Sequence, residues 1–316
     1  MKIWRHKMIN VIVNSSSGSE KKDLVEKTIK PYLSQAGEEY KILYSEKPGD
    51  IARLASELTS GDEPGKVRIL LLGGDGSINE LLSGIKDTSK VILSLIPTGS
   101  GNDFARSVGI PTKNVKLALD IAVKRGRTAV MDLGEITYPE GDTRKFIISS
   151  GMGFDAAVCE KALHSALKKK LNKVGLGKLS YGLIAFKEIF NAKRPDGTIS
   201  FDGGEEIPLR KLLFVAFMNE PFEGGGFKFA PDASHSDGIL DICVVHKVSK
   251  LIIPVCLPMG LFGKHYAFKD INEYHASKIH IHTDAPMWVH TDGEVKRQAD
   301  DLKIRVIKSA LNITLP

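Results

Sequence analysis

Short apolar runs alternate with segments of helical periodicity along the first 125 residues. Ile9–Val13 is β-branched and ends in a polar turn, Asn14 to Gly18. Between Lys21 and Leu33, Leu24, Val25, Thr28 and Ile29 recur at helical spacing. Lys41–Tyr44 reads as a second strand, and Ile51–Leu58 as a second helix. Val67–Leu72 is continuously apolar, as a parallel strand covered on both faces requires. In Ser77–Ile85, Ile78, Leu81, Leu82 and Ile85 make the stripe of a core-facing helix. Val91–Ile96 predicts another buried strand and Val115–Val123 another helix. This order predicts a doubly wound α/β domain.

After Thr128 short strands follow one another: Ala129–Ile136, Lys145–Ser149, Thr198–Phe201, Lys211–Met218, Ile239–Val245, Lys278–His282 and Met287–His290. Gly, Pro and Asp separate them, which suits an antiparallel β-sandwich broken by one helical stretch from Ala156 to about Phe190. The expected fold is therefore α/β plus all-β, with domains at residues 1–128 and 129–302. Lys303–Ile307 and Leu311–Leu315 are final strands that pattern alone assigns to neither domain.

At 316 residues the chain has room for two domains of roughly 150 residues. Lys and Arg number 44 against 38 Asp and Glu, a net charge of +6 that suits an anionic partner without choosing one. Cys159, Cys243 and Cys256 form no CxxC pair, which argues against a disulfide framework or a thiolate zinc site. The most apolar run, Leu251–Phe262, contains two prolines and falls well short of the ~20 residues of a spanning helix. Met1 to Lys7 is charged but has no long apolar segment behind it, unlike a signal peptide. A cytoplasmic chain that touches a membrane peripherally is expected.

Chemistry concentrates at Gly73-Gly74-Asp75-Gly76-Ser77-Ile78-Asn79-Glu80, where a buried strand ends in glycines and a helix begins. Glycines let backbone approach a ligand, and a helix N-terminus attracts anions. Asp75 would repel a phosphate unless a cation such as Mg²⁺ sits between them. Read blandly, the segment is a tight turn with Ser77 as N-cap. The residues Gly61 to Val67 lack the hydroxyl of a P-loop, and no acid follows Gly151-Met152-Gly153 at dinucleotide-fold spacing. Thr98 to Asp103 again follows a buried strand. In a doubly wound sheet it shares one crevice with Asn14–Gly18 and Gly73–Ser77.

The Gly73–Glu80 run resembles the nucleotide-binding signature of the diacylglycerol kinase catalytic-domain family, which includes sphingosine and ceramide kinases and, more distantly, NAD kinases. Pro97 to Arg106 looks like that family's second block. Gly151 to Ala156, Asn219 with Gly224–Gly226, Ala230 to Ala233, Asp237-Gly238 and Asp292-Gly293-Glu294 follow in the expected order. Ser77 and Ser100 stand where Thr is commoner. The closest counterparts are the bacterial lipid kinases of that family.

The resemblance implies an N-terminal nucleotide domain, a C-terminal β-sandwich, and a return of Lys303–Pro316 to the first domain. ATP would contact Asn14, Ser15, Ser16, Ser17, Gly18, Ser45, Gly73, Gly74, Asp75, Gly76, Ser77, Ile78, Asn79 and Ser100. Asp292 and Glu294 would be a base–orienter pair and Asp75 a metal-linked acid, although sphingosine kinases give the base role to the Asp75 position. A structural Mg²⁺ would take Asp237 and the carbonyls of Ser234 and Ile239. The implied reaction is ATP- and Mg²⁺-dependent phosphorylation of diacylglycerol to phosphatidic acid. Alternatives are a sphingoid, a phosphatidylglycerol-like lipid or a soluble alcohol. A non-catalytic binder of anionic lipid or nucleic acid is a further class, disfavoured by the full set of phosphate-facing loops. The reading gives nucleic acid no role and leaves room for a homodimer.

Lys161, Lys168, Lys169, Lys170, Lys173 and Lys178 share an acid-free stretch with an apolar stripe. It suits an anionic membrane, or equally a solvated helix face. His280, His282 and His290 read as surface residues on strands rather than metal ligands.

Overall fold

The computed structural model describes residues 8–14, 19–61, 65–164, 189 and 191–316. The chain divides into two compact units. One runs to Leu133 and includes Lys308–Pro316, and the other is Gly134–Ile307.

In the first unit β1 (Ile9–Asn14) leads into α1 (Ser19–Leu24), a π turn (Val25–Ile29) and α2 (Lys30–Gln35). Then come β2 (Tyr40–Ser45), α3 (Asp50–Thr59), β3 (Val67–Gly73), α4 (Asp75–Gly84) and β4 (Val91–Pro97). After β4, α5 (Asp103–Ser107) and α6 (Val115–Asp120) precede β5 (Arg127–Thr137). The parallel sheet has the order β2-β1-β3-β4, so the winding direction reverses between β1 and β3. Ligands bind beyond the carboxyl ends of the strands at such a reversal. Val11, Ile12, Leu71 and Leu72 are fully buried, as strands covered on both faces should be. Ile78, Leu81 and Leu82 of α4 are buried as well. Gly84 lets α4 meet α3, since a Cβ there would lie 2.0 Å from the Ala52 carbonyl oxygen. Glu80 accepts N–H bonds from Gly49 and Ile51, placing an acid at the N-terminus of α3.

The second unit is antiparallel throughout. Its elements are β6 (Thr143–Phe146), β7 (Ser149–Gly153), α7 (Phe154–His164), β8 (Gly197–Phe201), β9 (Ile207–Leu209) and β10 (Leu212–Met218). They continue with β11 (Leu240–His246), α8 (Ile253–Gly260), β12 (Ile271–Ala276), β13 (Lys278–Thr291) and β14 (Glu294–Leu315). The sheet order is β12-β11-β10-β7-β13-β14, with β8 on β13 and β9 on β8. Alternation along β10 feeds two cores. Val215 and Phe217 join Phe146, Met152 and Ile242, whereas Phe214 and Ala216 join Phe154, Cys243 and Ile253.

Several predicted elements are redrawn. Lys145–Ser149 is two strands, with Ile147 and Ile148 between them giving their amides to Asp292. Lys278–His282 and Met287–His290 are one strand, its register shifted between them. Lys303–Ile307 and Leu311–Leu315 are parts of the single long β14. Gly151–Gly153 lies in β7, and the sequence pattern does not mark β9, β12 or α5. Of the helix expected from Ala156 to about Phe190, the described parts are α7 and the helical residue Ile189. Lys168, Lys169, Lys170, Lys173 and Lys178 lie outside the described residues. Among the described residues no helix is long and apolar enough to cross a membrane.

Candidate functional site

In the first unit the ends of β3 and β4 lie side by side, with Gly73 opposite Pro97. The loops beyond them are tied by the Thr98 N–H, which donates to the Gly73 carbonyl at 2.8 Å. Gly74 and Gly99 bring their backbones into contact. A Cβ on Gly74 would lie 2.8 Å from the Gly99 Cα, and one on Gly99 would lie 2.7 Å from the Gly74 Cα. No side chain fits there without driving the loops apart. Asn102, in the left-handed region at φ 54°, holds the β4 loop closed. Its Oδ1 accepts from the Gly99 N–H at 3.1 Å and its Nδ2 donates to the Gly99 carbonyl at 2.8 Å.

Asp75 begins α4, whose N-cap is Gly74 and not Ser77. Its two carboxylate oxygens accept the Asp103 and Phe104 N–H groups, both at 3.1 Å, and so cap α5. It is half-buried and anchored, not free in an exposed loop. Asp103 in turn pairs with Arg106, whose Nη2 donates to the Gly101 carbonyl at 3.1 Å. Across the sheet's reversal, Asn14 Nδ2 donates to Ser77 Oγ at 2.8 Å. Ser45 is the register partner of Asn14 and is buried.

The end of β1, at Asn14, and the loops after β3 and β4 thus gather around the first turn of α4. Ser15, Ser16, Ser17 and Gly18 lie outside the described residues. Ile78 and Asn79 are buried, as are Ser45 and Ser77. Gly76 is half-buried and Ser100 exposed. Asn102, Asp103 and Arg106 hold the β4 loop in place. They lie within the recognised second block, but nothing in the pattern marks Asn102 as its lock.

In the second unit Asp292 and Gly293 turn β13 into β14 with φ of 50° and 80°, both left-handed, as a two-residue hairpin demands. The Asp292 carboxylate points inward and accepts N–H bonds from Ile147, Ile148 and Ser149 at 2.8–3.3 Å. Glu294 is half-buried, and its carbonyl accepts from Arg144 at 3.2 Å.

Two residues before Asp292, His290 is fully buried, which corrects its reading as a surface histidine. Its Nε2 lies 3.1 Å from Asp155 and 3.1 Å from Glu223. Burial alone would lower its pKa, but Glu223, Asp155 and Asp292 outweigh that and push it up to about 9. Gly151 makes the room, since a Cβ there would stand 1.9 Å from the Asp155 carboxylate. The recognised Gly151–Ala156 block thus builds an ion cluster, and no local signal pointed to Glu223. By contrast, His280 is half-buried and His282 exposed, and both pair with Asp301.

Asp237 is exposed and accepts the Ile239 N–H at 3.1 Å, making a local turn. The Ser234 hydroxyl is 3.4 Å from that of Ser236. Nearby, Asp241, Glu273 and His275 bring their polar atoms within 4.8 Å of one another on β11 and β12.

Residues 8–136 match the family described as the diacylglycerol kinase catalytic domain. Residues 148–315 match the YegS C-terminal NAD kinase beta sandwich-like domain. The YtlR protein of Bacillus subtilis is 30% identical over 287 residues, 90% of this chain and 92% of that protein. The diacylglycerol kinase of Mycobacterium tuberculosis H37Rv is 29% identical, over 85% of this chain and 83% of its own. A crystal structure from Bacillus anthracis Sterne covers 98% of this chain and 97% of that one, with TM-score 0.74 at 24% identity. With the glycine-lined turn of α4 and the antiparallel second unit both in place, the chain belongs to the diacylglycerol kinase catalytic-domain family and is a kinase.

Proposed function

We propose that this kinase transfers the γ-phosphoryl group of ATP to the hydroxyl of a membrane lipid, converting diacylglycerol to phosphatidic acid. The observation that carries the nucleotide half is the contact of Gly74 with Gly99 at the first turn of α4. It packs the two glycine turns backbone to backbone at the N-terminus of α4, the kind of place where phosphates are favoured. Asn14, Ser45, Ser77 and Ser100, with Ser15–Gly18, would contact the nucleotide around it.

Phosphoryl transfer asks little covalent chemistry of a protein, chiefly positioning and neutralisation of charge. A hard cation fits the residues present: Asp75 offers carboxylate oxygen, and Gly101 keeps its Oδ2 side clear, since a Cβ there would sit 3.0 Å away. Asp75 would hold Mg²⁺ at the nucleotide, and Asp237 with the Ser234 and Ile239 carbonyls would hold a second, structural Mg²⁺. Mg²⁺ supplies charge neutralisation on the phosphates. The acceptor hydroxyl would be oriented by the Asp292–Glu294 pair. Because three amides already hold Asp292, we assign it the fixed acceptor that aligns the hydroxyl, with Glu294 beside it.

A lipid acceptor is supported by relatives named diacylglycerol kinase; the second unit also holds a small apolar cavity of about 40 Å³, lined by Phe154, Phe214, Phe227, Phe229, Ile253 and Cys256. Such a space favours hydrocarbon over water. The test is label transfer from γ-labelled ATP with Mg²⁺ to a panel of diacylglycerol, a sphingoid base, phosphatidylglycerol and glycerol. Labelled phosphatidic acid as the main product is expected. Preferential labelling of another acceptor would reassign the substrate, and no labelled lipid at all would overturn the proposal.

A further inference from the structure

Every residue from Leu251 to Phe262 is apolar, and residues 247–269 contain four lysines but no aspartate or glutamate. Within this stretch α8 has two faces. Ile253 and Cys256 are buried against Phe154, Phe214 and Val245. On the other side Leu251 is 82% exposed, Val255 57% and Phe262 74%, with Leu261 and Ile252 also open. Of the eight large hydrophobic side chains exposed among the described residues, these are five. Scattered exposed leucines mean little, but five on one short segment form a patch that water does not favour. A helix apolar all round belongs in a core or against hydrocarbon, and here only one face is in the core.

Two further observations say what covers the other face. Lys247, Lys264 and Lys269 are exposed on either side of the patch in sequence, against a single acid, Asp270, next to Lys269. Ile253, Cys256 and Gly260 of α8 also line the apolar cavity, so the helix separates that cavity from the exposed patch. Apolar centre and basic rim together match the section through an anionic lipid leaflet.

We propose that the segment Leu251–Phe262 is the surface by which this kinase docks on an anionic phospholipid bilayer. Leu251, Val255, Leu261 and Phe262 enter the acyl boundary while Lys247, Lys264 and Lys269 meet headgroup phosphates. The inference deepens the lipid-kinase reading and rests on it for its purpose, but docking can be measured without ATP or turnover.

The test is co-sedimentation of the full chain with phosphatidylcholine vesicles containing or lacking phosphatidylglycerol. Binding to the anionic vesicles is expected, weakened in 1 M salt, where charges are screened within about 3 Å. Leu251→Ser with Phe262→Ser should lower vesicle partitioning by at least about tenfold. Its melting temperature should stay that of the parent, since both side chains are exposed. Lys247→Gln with Lys264→Gln and Lys269→Gln should remove the preference for anionic vesicles. Activity of the serine variant should fall on vesicle-borne diacylglycerol and hold on a short-chain, water-dispersed one. Unchanged partitioning of the serine variant would overturn the proposal. So would a parent that does not bind vesicles but is a dimer by light scattering, with the serine variant monomeric. Vesicle binding that follows the patch, without label on any lipid, would sustain docking and defeat the kinase substrate reading instead.

Discussion

Asp75 and Asp292 are both acids of glycine-rich turns, yet each carboxylate is committed to backbone amides. Asp75→Asn keeps the shape but loses the charge, so turnover should fall at least about 100-fold in a labelled-ATP assay. Its stability should drop by about 1–3 kcal/mol, read by denaturant melts, because one of the two accepting oxygens becomes an NH2 that leaves an α5 amide unbonded. Asp292→Ala should behave differently. It orphans three buried amides and should cost about 2–4 kcal/mol, so activity and stability fall together. Asp241 carries a pH signature. Burial, with the charges of Asp237 and Glu273, pushes its carboxyl up to about 6 in spite of His275. The folded value lies above the unfolded one, about 3.9, so stability declines as pH rises from 4 to 6 and the penalty persists above. Asp241→Asn should therefore raise the melting temperature at pH 7.5, by the equivalent of about 1 kcal/mol after solvent screening, and leave it unchanged at pH 4. A gain at pH 4 of equal size would show that packing, not charge, is responsible.

The turns that follow β3 and β4 act as one element because Gly74 and Gly99 touch. Gly99→Ala should spread them and weaken ATP binding about tenfold or more by calorimetry, with little change in the far-ultraviolet spectrum. Unaltered affinity would mean that the loops do not shape the nucleotide site. At this scale the sequence was readable wherever a face repeats. The run Val67–Leu72 and the stripe of Ile78, Leu81 and Leu82 marked β3 and α4 because full burial leaves an uninterrupted apolar signal. Legibility failed where long-range pairing decides. The run Thr283-Asp284-Ala285-Pro286 looks like a strand end, yet β13 continues through a shifted register. The split between β6 and β7 depends on the Asp292 carboxylate 143 to 145 positions away. The His290 cluster needs Glu223 from a distant loop, which no local period announces.

On the scale of the whole chain, the first unit is built from segments far apart in sequence. Lys308–Pro316 completes the first unit, where Leu311 and Ile313 are fully buried and the Asn312 side chain bonds the Ser89 and Val91 carbonyls. Ending the chain after Ile307 should therefore unfold the first unit, with loss of amide-exchange protection across β3 and β4. Leu311 and Ile313 alone bury side chains worth about 1.5–3 kcal/mol each. Apolar periodicity marked Leu311–Leu315 as a strand but could not say which sheet it joins, since register with Ile92 and Leu93 lies outside any local pattern. The family resemblance carried what periodicity could not, for the motif glycines are spread over both units. The most direct measurement follows phosphorus NMR of ATP, Mg²⁺ and diacylglycerol in mixed micelles with the parent and with Asp75→Asn. The parent should consume ATP as a new lipid phosphomonoester grows at the same rate, and the variant should produce neither change. ATP consumed without a lipid phosphomonoester, or equal product from Asp75→Asn, would contradict a lipid kinase working through the turn of α4.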